Sequence, residues 1–273
     1  MIQGPDGALY GTTQQGGASD QGTVFRYALP NVVPAIAANS GVVSGASFQA
    51  GIASNSWITI RGTNFSLKTD TWSSAIVNGV LPQSLDGVSV NVGGSPAYVA
   101  YVSPQQISAL APNISAGNTS VTVTNSAGTS TAVSVTAQAA QPAFFLWGAY
   151  AVATRSDYSL AVKNGTFPGV TTVPAKPGDT IILWGTGFGE TSPAAAVGTV
   201  VPTGVTYNTA SPVNVTVGGK PATVLGAALA PGYAGLYQIA IQIPSNLVGG
   251  DCAVVATVAG VQSPLTTLIT VQQ

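Results

Sequence analysis

The chain has 273 residues, a net charge of −1 and charged side chains at only 5% of its positions. This balance gives no positive field for nucleic acid or an anionic membrane, and no apolar run is long enough for a transmembrane helix. Histidine is absent and cysteine occurs once, which excludes a Ser-His-Asp or Cys-His nucleophile, a histidine-ligated zinc and an internal disulfide. We therefore expect no nucleic-acid partner, no membrane insertion, no metal and no cofactor.

Residues 1–29 have the pattern of a β-hairpin. Residues 8–12 and 23–27 are strand-like, and a glycine-rich turn separates them. The stretch Asp-Gly-Ala-Leu-Tyr-Gly-Thr-Thr at residues 6–13 resembles one copy of a bacterial tandem repeat whose arrays look like β-propeller blades. One copy cannot close a ring, so we expect a remnant hairpin, frayed or docked on the next domain, in a piece of a larger parent chain. Two prolines then make residues 30–38 a linker.

An internal duplication organises the rest of the chain. The segment Val-Ser-Val-Asn-Val-Gly-Gly-Ser-Pro-Ala at residues 88–97 returns as Val-Asn-Val-Thr-Val-Gly-Gly-Lys-Pro-Ala at residues 213–222. Likewise, Ile-Thr-Ile-Arg-Gly-Thr-Asn-Phe at residues 58–65 aligns with Ile-Ile-Leu-Trp-Gly-Thr-Gly-Phe at residues 181–188. Two matches in the same order predict two copies of one β-rich unit. The paired glycines predict positive φ angles in the shared turn.

Short runs with period-two alternation, bounded by Gly, Pro, Asn or Ser, predict the strands of both units. In the first unit they are residues 57–65, 87–92, 97–102, 107–110, 120–124 and 131–137. In the second unit they are residues 180–184, 213–217, 222–227, 236–243, 253–258 and 266–271. This spacing is typical of a β-sandwich. The predicted fold class is all-β, with two tandem immunoglobulin-like β-sandwich domains at residues 39–138 and 139–273 after the hairpin remnant.

The motif order resembles the IPT/TIG class of immunoglobulin-like domains: a strand ending Gly-Thr-Asn-Phe or Gly-Thr-Gly-Phe, then the Val-Gly-Gly-x-Pro-Ala hairpin. More narrowly, Gly-Ala-Ser-Phe at residues 45–48, Tyr-Val-Ser-Pro-Gln-Gln-Ile at 101–107 and Pro-Ala-Lys-Pro-Gly-Asp at 174–179 are similar to the Solibacter-type C-terminal domain. That family has no agreed function and ends large acidobacterial surface or secreted proteins. The resemblance implies a non-catalytic extracellular bacterial module for adhesion, surface display or polysaccharide binding, with a polysaccharide or cell-surface glycan as partner.

The second unit has an insertion at residues 144–173, which gathers scarce charges beside aromatic residues. We predict a groove there, in which rings stack on sugars and polar groups bind hydroxyls, formed by Trp147, Tyr150, Arg155, Asp157, Tyr158, Lys163 and Asn164. The same residues also fit a structural role, with Arg155 and Asp157 as a local ion pair and Trp147 and Tyr158 covering one end of the sandwich. Other aromatic residues are interpreted as core or inter-domain packing: Trp57, Trp72, Tyr98, Tyr101, Tyr233 and Tyr237.

The alternative function is a hydrolase that acts on glycosides or esters. Glu190, the only glutamate, is a candidate to pair with Asp157 or Asp179 as the two carboxyl groups of a glycosidase. Such a pair must lie within about 5 to 10 Å.

Overall fold

Strands dominate a computed structural model of the chain, which describes residues 1–5, 8–29 and 32–273. The N-terminal segment is a three-stranded antiparallel sheet of β1 (Ile2–Gln3), β2 (Leu9–Thr12) and β3 (Val24–Tyr27). The Gln3 side-chain amide donates a hydrogen bond to the Leu67 carbonyl at 3.0 Å, so the predicted hairpin docks on the first domain. Asp6 and Gly7 of the repeat-like motif lie outside the described residues, as do Pro30 and Asn31 of the predicted linker.

The first domain is a sandwich of two sheets. Its strands are β4 (Ala35–Ile36), β5 (Val42–Ser44), β6 (Ile52–Ala53), β7 (Trp57–Thr63), β8 (Asp70–Thr71), β9 (Ser84–Leu85), β10 (Val88–Val92), β11 (Ser95–Pro96), β12 (Tyr98–Val102), β13 (Gln106–Leu110), β14 (Gly117–Asn125), β15 (Gly128–Thr129) and β16 (Val133–Gln138), with a 3₁₀ turn at Trp72–Ser74. One sheet has the order β11-β10-β14-β16-β6 and the other β4-β7-β13-β12-β8. β4 lies within the predicted linker and pairs with β7, so the sandwich includes part of that segment.

The second domain has the same plan, but its two sheets are continuous. Its strands are β17 (Ala143–Phe144), β18 (Leu146–Trp147), β19 (Tyr150–Ala151), β20 (Ala153–Thr154), β21 (Thr180–Thr186), β22 (Thr191–Ser192), β23 (Asn208–Thr209), β24 (Val213–Val217), β25 (Lys220–Leu229), β26 (Tyr237–Gln242), β27 (Gly250–Val258), β28 (Val261–Gln262) and β29 (Leu268–Val271). The path runs β17-β21-β26-β25-β24-β27-β29-β19-β18. β25 pairs with β24 at its start and with β26 further on, which joins the two sheets.

The duplicated sequence forms duplicated structure. In β10 and β24 the valines are buried and the residues between them are more exposed, as period-two alternation requires. The turns that follow have positive φ at both glycines, 61° and 88° at Gly93 and Gly94, and 56° and 75° at Gly218 and Gly219. Two consecutive positive φ angles match the twist of a tight hairpin. The prediction for this turn is confirmed.

Each domain has its own apolar core. Phe65 of the first domain and Phe188 of the second are fully buried at matching motif positions. In the second domain, Phe188 contacts both Phe144 and Tyr237, with ring centroids 5.7 Å and 5.5 Å away. The Tyr237 hydroxyl donates to the Gly189 carbonyl, and burial raises the pKa of this phenol. The interpretation of Tyr237 as a core residue is confirmed.

A third cluster joins the two domains, and we call it the seam. Its buried members are Leu81, Leu110 and Ala234, and partly buried residues pack around them: Trp57, Trp72, Ile76, Tyr98, Val197 and Val200. The rings of Trp57 and Trp72 meet edge to face at 5.2 Å. The packing role predicted for Trp57, Trp72 and Tyr98 is therefore confirmed.

Hydrogen bonds through Thr186 close the seam. The Trp57 backbone N–H donates to Thr186 Oγ1 at 3.0 Å, and the same hydroxyl donates to the Gly235 carbonyl at 2.9 Å. The Trp57 indole N–H also donates to the Ala234 carbonyl at 3.0 Å. Thr186 has 0% of its surface exposed, so the Trp57 N–H and the Gly235 carbonyl depend on its hydroxyl for a partner. The matching threonine of the first domain, Thr63, is exposed.

We expect Thr186→Val to lower the free energy of unfolding by about 1–3 kcal/mol, because it leaves the partly buried Trp57 N–H and the buried Gly235 carbonyl without this partner. Thr63→Val is the matched control, and its effect should stay within about 0.5 kcal/mol, as for most surface changes. Chemical denaturation of both variants beside the parent measures the difference. Equal losses in the two variants would contradict the role of Thr186 in the seam.

Candidate functional site

Compared with the first domain, the second domain has extra residues at two separate places. In the first domain, β5 pairs with β7 in one sheet and β6 pairs in parallel with β16 in the other. In the second domain, β20 pairs with β21, and Ala175 forms a parallel bridge to Val271. The connection between these two pairings spans residues 45–51 in the first domain and 155–174 in the second. Further residues of the insertion form the β18–β19 hairpin.

One concavity, the hairpin pocket, has a volume of about 730 Å³ and is lined by four predicted site residues, Trp147, Tyr150, Lys163 and Asn164. Trp147 meets Phe167 edge to face at 5.2 Å. The Lys163 ammonium lies 5.9 Å from the centre of the Tyr150 ring. The aromatic rings of this pocket are thus already in contact with other side chains.

Asp251 connects the side chains of the hairpin pocket. It accepts hydrogen bonds from the Thr270 hydroxyl at 2.6 Å and the Tyr150 hydroxyl at 2.9 Å, and it forms an ion pair with Lys163 at 3.3 Å. The hydrogen bond from Thr270, with those from Tyr150 and Lys163, holds the pKa of Asp251 below its ordinary value despite the opposing effect of burial. These interactions fix the pocket wall.

Arg155 and Asp157 line neither this pocket nor the groove described next. Arg155 pairs with Asp179 at 3.6 Å and donates to the carbonyls of Val173 and Pro174 at 3.2 and 3.0 Å. Asp157 instead accepts the Ser159 backbone N–H at 2.9 Å, and hydrogen bonds from Ser159 lower its pKa. The expected Arg155–Asp157 ion pair is therefore replaced by Arg155–Asp179.

The seven predicted site residues do not line one groove, because the insertion crosses from one sheet to the other. β19 pairs in parallel with β29, whereas β20 pairs with β21. Tyr150 and Tyr158, on either side of this crossing, consequently line different concavities.

Tyr158 belongs to a second concavity, which we call the aromatic groove. It has a volume of about 740 Å³, and its rings are Phe145, Tyr158, Trp184 and Tyr233. Tyr158 is 73% exposed and Tyr233 is 57% exposed. The packing role predicted for Tyr233 is thus wrong, because its ring faces the groove and solvent. The remaining lining residues are Val152, Thr154, Ala230, Pro231, Leu236 and Gln238.

The fold fixes Trp184 in the wall of this groove. Trp184 lies in β21, where Ile181, Leu183 and Gly185 are buried and the residues between them point to the other face. Its indole N–H donates to the Thr154 hydroxyl at 2.9 Å. This bond fixes the ring. Gln238 of β26 lies opposite Trp184 in the adjacent strand.

Two turns present the tyrosines of the groove. Tyr158 has a φ of 62°, a conformation that costs a bulky residue about 1 kcal/mol or more. Its N–H donates to the Arg155 carbonyl at 2.9 Å, and the Arg155 N–H donates to the Ser159 carbonyl at 2.9 Å. The Tyr233 carbonyl accepts the Val201 N–H at 2.8 Å. Both rings are therefore set on anchored backbone.

Sequence reasoning missed Phe145, Trp184, Tyr233 and Gln238. Trp184 carried a usable signal, since it occupies an outward position of an alternating strand and aligns with Arg61 in the first copy. A polar counterpart at the same position indicates an outward side chain. Tyr233 carried no such signal, because its place depends on a turn that packs against Val201.

The carboxyl groups of the alternative hydrolase are not assembled. Asp179 precedes β21 and Glu190 follows it, so the two residues lie beyond opposite ends of a strand that spans about 20 Å at roughly 3.3 Å per residue. Glu190 lines a cleft between the two domains with residues of the first domain, among them Asn55 and Asn113, and neither Asp157 nor Asp179 lines that cleft. Among the described residues there is also no helix with the length and apolarity needed to cross a bilayer.

One comparison with known protein families concerns the first unit. Residues 42–137, which make up most of that unit, match the model of the IPT/TIG domain. Comparison with curated proteins found no match.

Similar solved structures include the extracellular region of plexin A4, at 14% identity and a TM-score of 0.29, over 88% of this chain and 18% of that chain. Another is SGBP-B of the Bacteroides ovatus mixed-linkage glucan utilization locus, in complex with a mixed-linkage heptasaccharide, at 11% identity and a TM-score of 0.35, over 93% of this chain and 50% of that chain. A third is the S-layer protein SbsC, domains 5–6, at 14% identity and a TM-score of 0.27, over 88% of this chain and 97% of that chain. This chain thus spans less than two thirds of the first two proteins.

We expect Asp251→Asn to lower the Tm near neutral pH by about 1–3 °C, the shift that corresponds to a partly exposed charge network. Because the folded state lowers the pKa of Asp251, its stabilisation is present above the unfolded pKa and is lost as the pH falls through the folded pKa. The difference in Tm between parent and variant should therefore shrink as the pH is lowered from neutral into acid. Thermal unfolding followed across this range tests the network, and a difference that persists in acid would contradict it.

Proposed function

We propose that the chain is a non-catalytic polysaccharide-binding module of an extracellular or cell-surface bacterial protein, and that its aromatic groove takes neutral sugar rings. The observation that carries this proposal is the convergence of Tyr158, Trp184 and Tyr233 on one open groove. Adhesion or surface display would follow from binding of a cell-surface glycan.

The groove matches the chemistry of a sugar. One face of a pyranose ring presents C–H groups, which pack on an aromatic ring, while its edge carries hydroxyls. The exposed rings of Tyr158 and Tyr233 offer the apolar surface, and each carries a polar hydroxyl. The half-buried amide of Gln238 supplies both donors and an acceptor. A few polar groups among aromatic walls are typical of a small-ligand site.

Exposure of the rings supports a ligand rather than a packing role. Large apolar side chains that gather on a surface mark binding sites more often than scattered ones. In the hairpin pocket, by contrast, Tyr150 and Trp147 are in contact with Lys163 and Phe167. We therefore assign the sugar platform to the aromatic groove, and Tyr158 is the one predicted site residue that belongs to it.

We expect Tyr158→Gly and Tyr233→Ala each to raise the Kd for a neutral polysaccharide by about tenfold or more, as loss of an aromatic anchor does. Because glycine adopts positive φ freely, Tyr158→Gly should keep or raise the Tm while it weakens binding. Affinity electrophoresis in gels that contain mixed-linkage β-glucan, xyloglucan or dextran gives the measurement.

Trp147→Ala is the matched control, since it removes a ring from the hairpin pocket and leaves the aromatic groove intact. Binding that falls in Trp147→Ala but not in Tyr158→Gly would move the site to the hairpin pocket. If no neutral polysaccharide retards the parent protein, the proposal fails. Release of reducing ends from a bound polysaccharide would overturn the non-catalytic assignment.

A further inference from the structure

The first domain has a structural counterpart of Trp184, and that counterpart is Arg61. The Trp184 N–H donates to the Val152 carbonyl at 3.0 Å, and the Trp184 carbonyl accepts the Phe145 N–H at 2.9 Å. The Arg61 N–H donates to the Gly41 carbonyl at 2.8 Å, and the Arg61 carbonyl accepts the Ala37 N–H at 2.9 Å. The two residues therefore occupy one position in a duplicated backbone frame.

The neighbouring strand shows the same correspondence. Gln106 of β13 is the partner of Arg61, and Gln238 of β26 is the partner of Trp184. The loops that precede β7 and β21 also match, because each carries an exposed aromatic residue with positive φ, Phe48 at 56° and Tyr158 at 62°. Each domain thus has the same three features: an outward residue in β7 or β21, a glutamine opposite it in the next strand, and an aromatic residue with positive φ in the preceding loop.

A concavity of about 620 Å³ surrounds Arg61, and we call it the Arg61 groove. Thr63 and Ser103 also line it, and its longer polar side chains are Arg61, Tyr101, Gln105 and Gln106. Across the residues that the structure describes, none of these four side chains has a hydrogen-bond partner or an ion-pair partner. They are all available to a ligand.

Arg61 differs in this respect from three other cations of this sparsely charged chain. Lys68 pairs with Asp86 at 2.8 Å, and Arg155 and Lys163 also have carboxylate partners. The Arg61 guanidinium lies 5.1 Å from the centre of the Phe48 ring, which orients it by a cation–π contact. Its fork of N–H donors is left for an anion.

We propose that the Arg61 groove binds the carboxylate of a uronic acid residue in an acidic polysaccharide. A planar carboxylate matches the guanidinium fork with two parallel hydrogen bonds. The amides of Gln105 and Gln106 and the hydroxyl of Tyr101 then face the ring hydroxyls of the sugar. The inference rests on the proposed function in that both ligands are polysaccharides, but it uses a different domain and a charged ligand.

The test is binding of polygalacturonate, measured by affinity electrophoresis and by titration calorimetry. Arg61→Gln should raise the Kd by about tenfold or more, as loss of a charged hydrogen bond does, with little change in Tm because the side chain is exposed and loses only its contact with the Phe48 ring. Methyl-esterified polygalacturonate, which keeps the ring and lacks the charge, should bind the parent protein as weakly as polygalacturonate binds Arg61→Gln. Added salt should weaken the parent's binding.

Lys176→Gln is the matched control, since it removes the same charge from an exposed site outside the Arg61 groove. Equal losses in Arg61→Gln and Lys176→Gln would reduce the effect to net charge and overturn the inference, as would failure of the parent to bind polygalacturonate. Arg61-dependent binding of dextran sulfate that equals or exceeds that of polygalacturonate would overturn the carboxylate assignment.

Tyr158→Gly separates this inference from the proposed function. It should lose neutral-polysaccharide binding and keep polygalacturonate binding, while Arg61→Gln should do the reverse. Intact neutral binding with no acidic binding would end the inference alone, whereas the opposite result would end the aromatic-groove proposal alone.

Discussion

The arrangement of the molecule depends on the hydroxyl of Thr186. This group accepts the Trp57 N–H of the first domain and donates to the Gly235 carbonyl of the second. The Thr186 side chain is fully buried, the bond to Gly235 is buried and the bond from Trp57 is partly buried, so each backbone group would be costly to leave unpaired. Leu110 and the Trp57 ring pack beside these bonds. A polar anchor inside an apolar cluster sets the position of one domain on the other more specifically than apolar contact alone.

That anchor comes from a motif that both domains share but use differently. Phe65 and Phe188 fill the two cores at matching positions, whereas Thr63 faces solvent and Thr186 lies in the seam. Duplication conserves what the sandwich requires, the buried alternate residues and the glycine turn. Outward positions carry no such requirement, and there one copy has an arginine where the other has a tryptophan. Differences between the copies therefore point to what each surface contacts.

The fold was largely predictable from the sequence, because strand alternation and turn chemistry are local properties. Val88, Val90 and Val92 alternate as the pattern requires, and Gly93 and Gly94 form the predicted turn. The site was less predictable. The insertion at residues 144–173 is one continuous segment of sequence, yet its strands pair with strands of two different sheets. Strand pairing is a tertiary choice that the segment itself does not encode.

The seam and the aromatic groove show that the sequence does not predict whether a given aromatic residue packs or is exposed. Trp57 and Tyr98 were expected to pack and do so. Tyr233 was expected to pack and is exposed. Nothing local distinguishes them, because an aromatic residue at a strand end serves either purpose. The turn that carries Tyr233 is set by its backbone bond to Val201, a residue distant in sequence.

Backbone strain gives an independent reason to regard the aromatic groove as functional. Tyr158 holds a positive φ with a ring that is 73% exposed, so the fold bears the cost of that conformation without gaining buried surface in return. The indole of Trp184 is held by Thr154 in the same groove. Rings fixed before a ligand arrives lose little rotamer freedom when it binds, which raises affinity without adding contacts. The bond to Thr154 fixes the Trp184 ring, and the hydrogen-bonded turn fixes the backbone from which the Tyr158 ring projects.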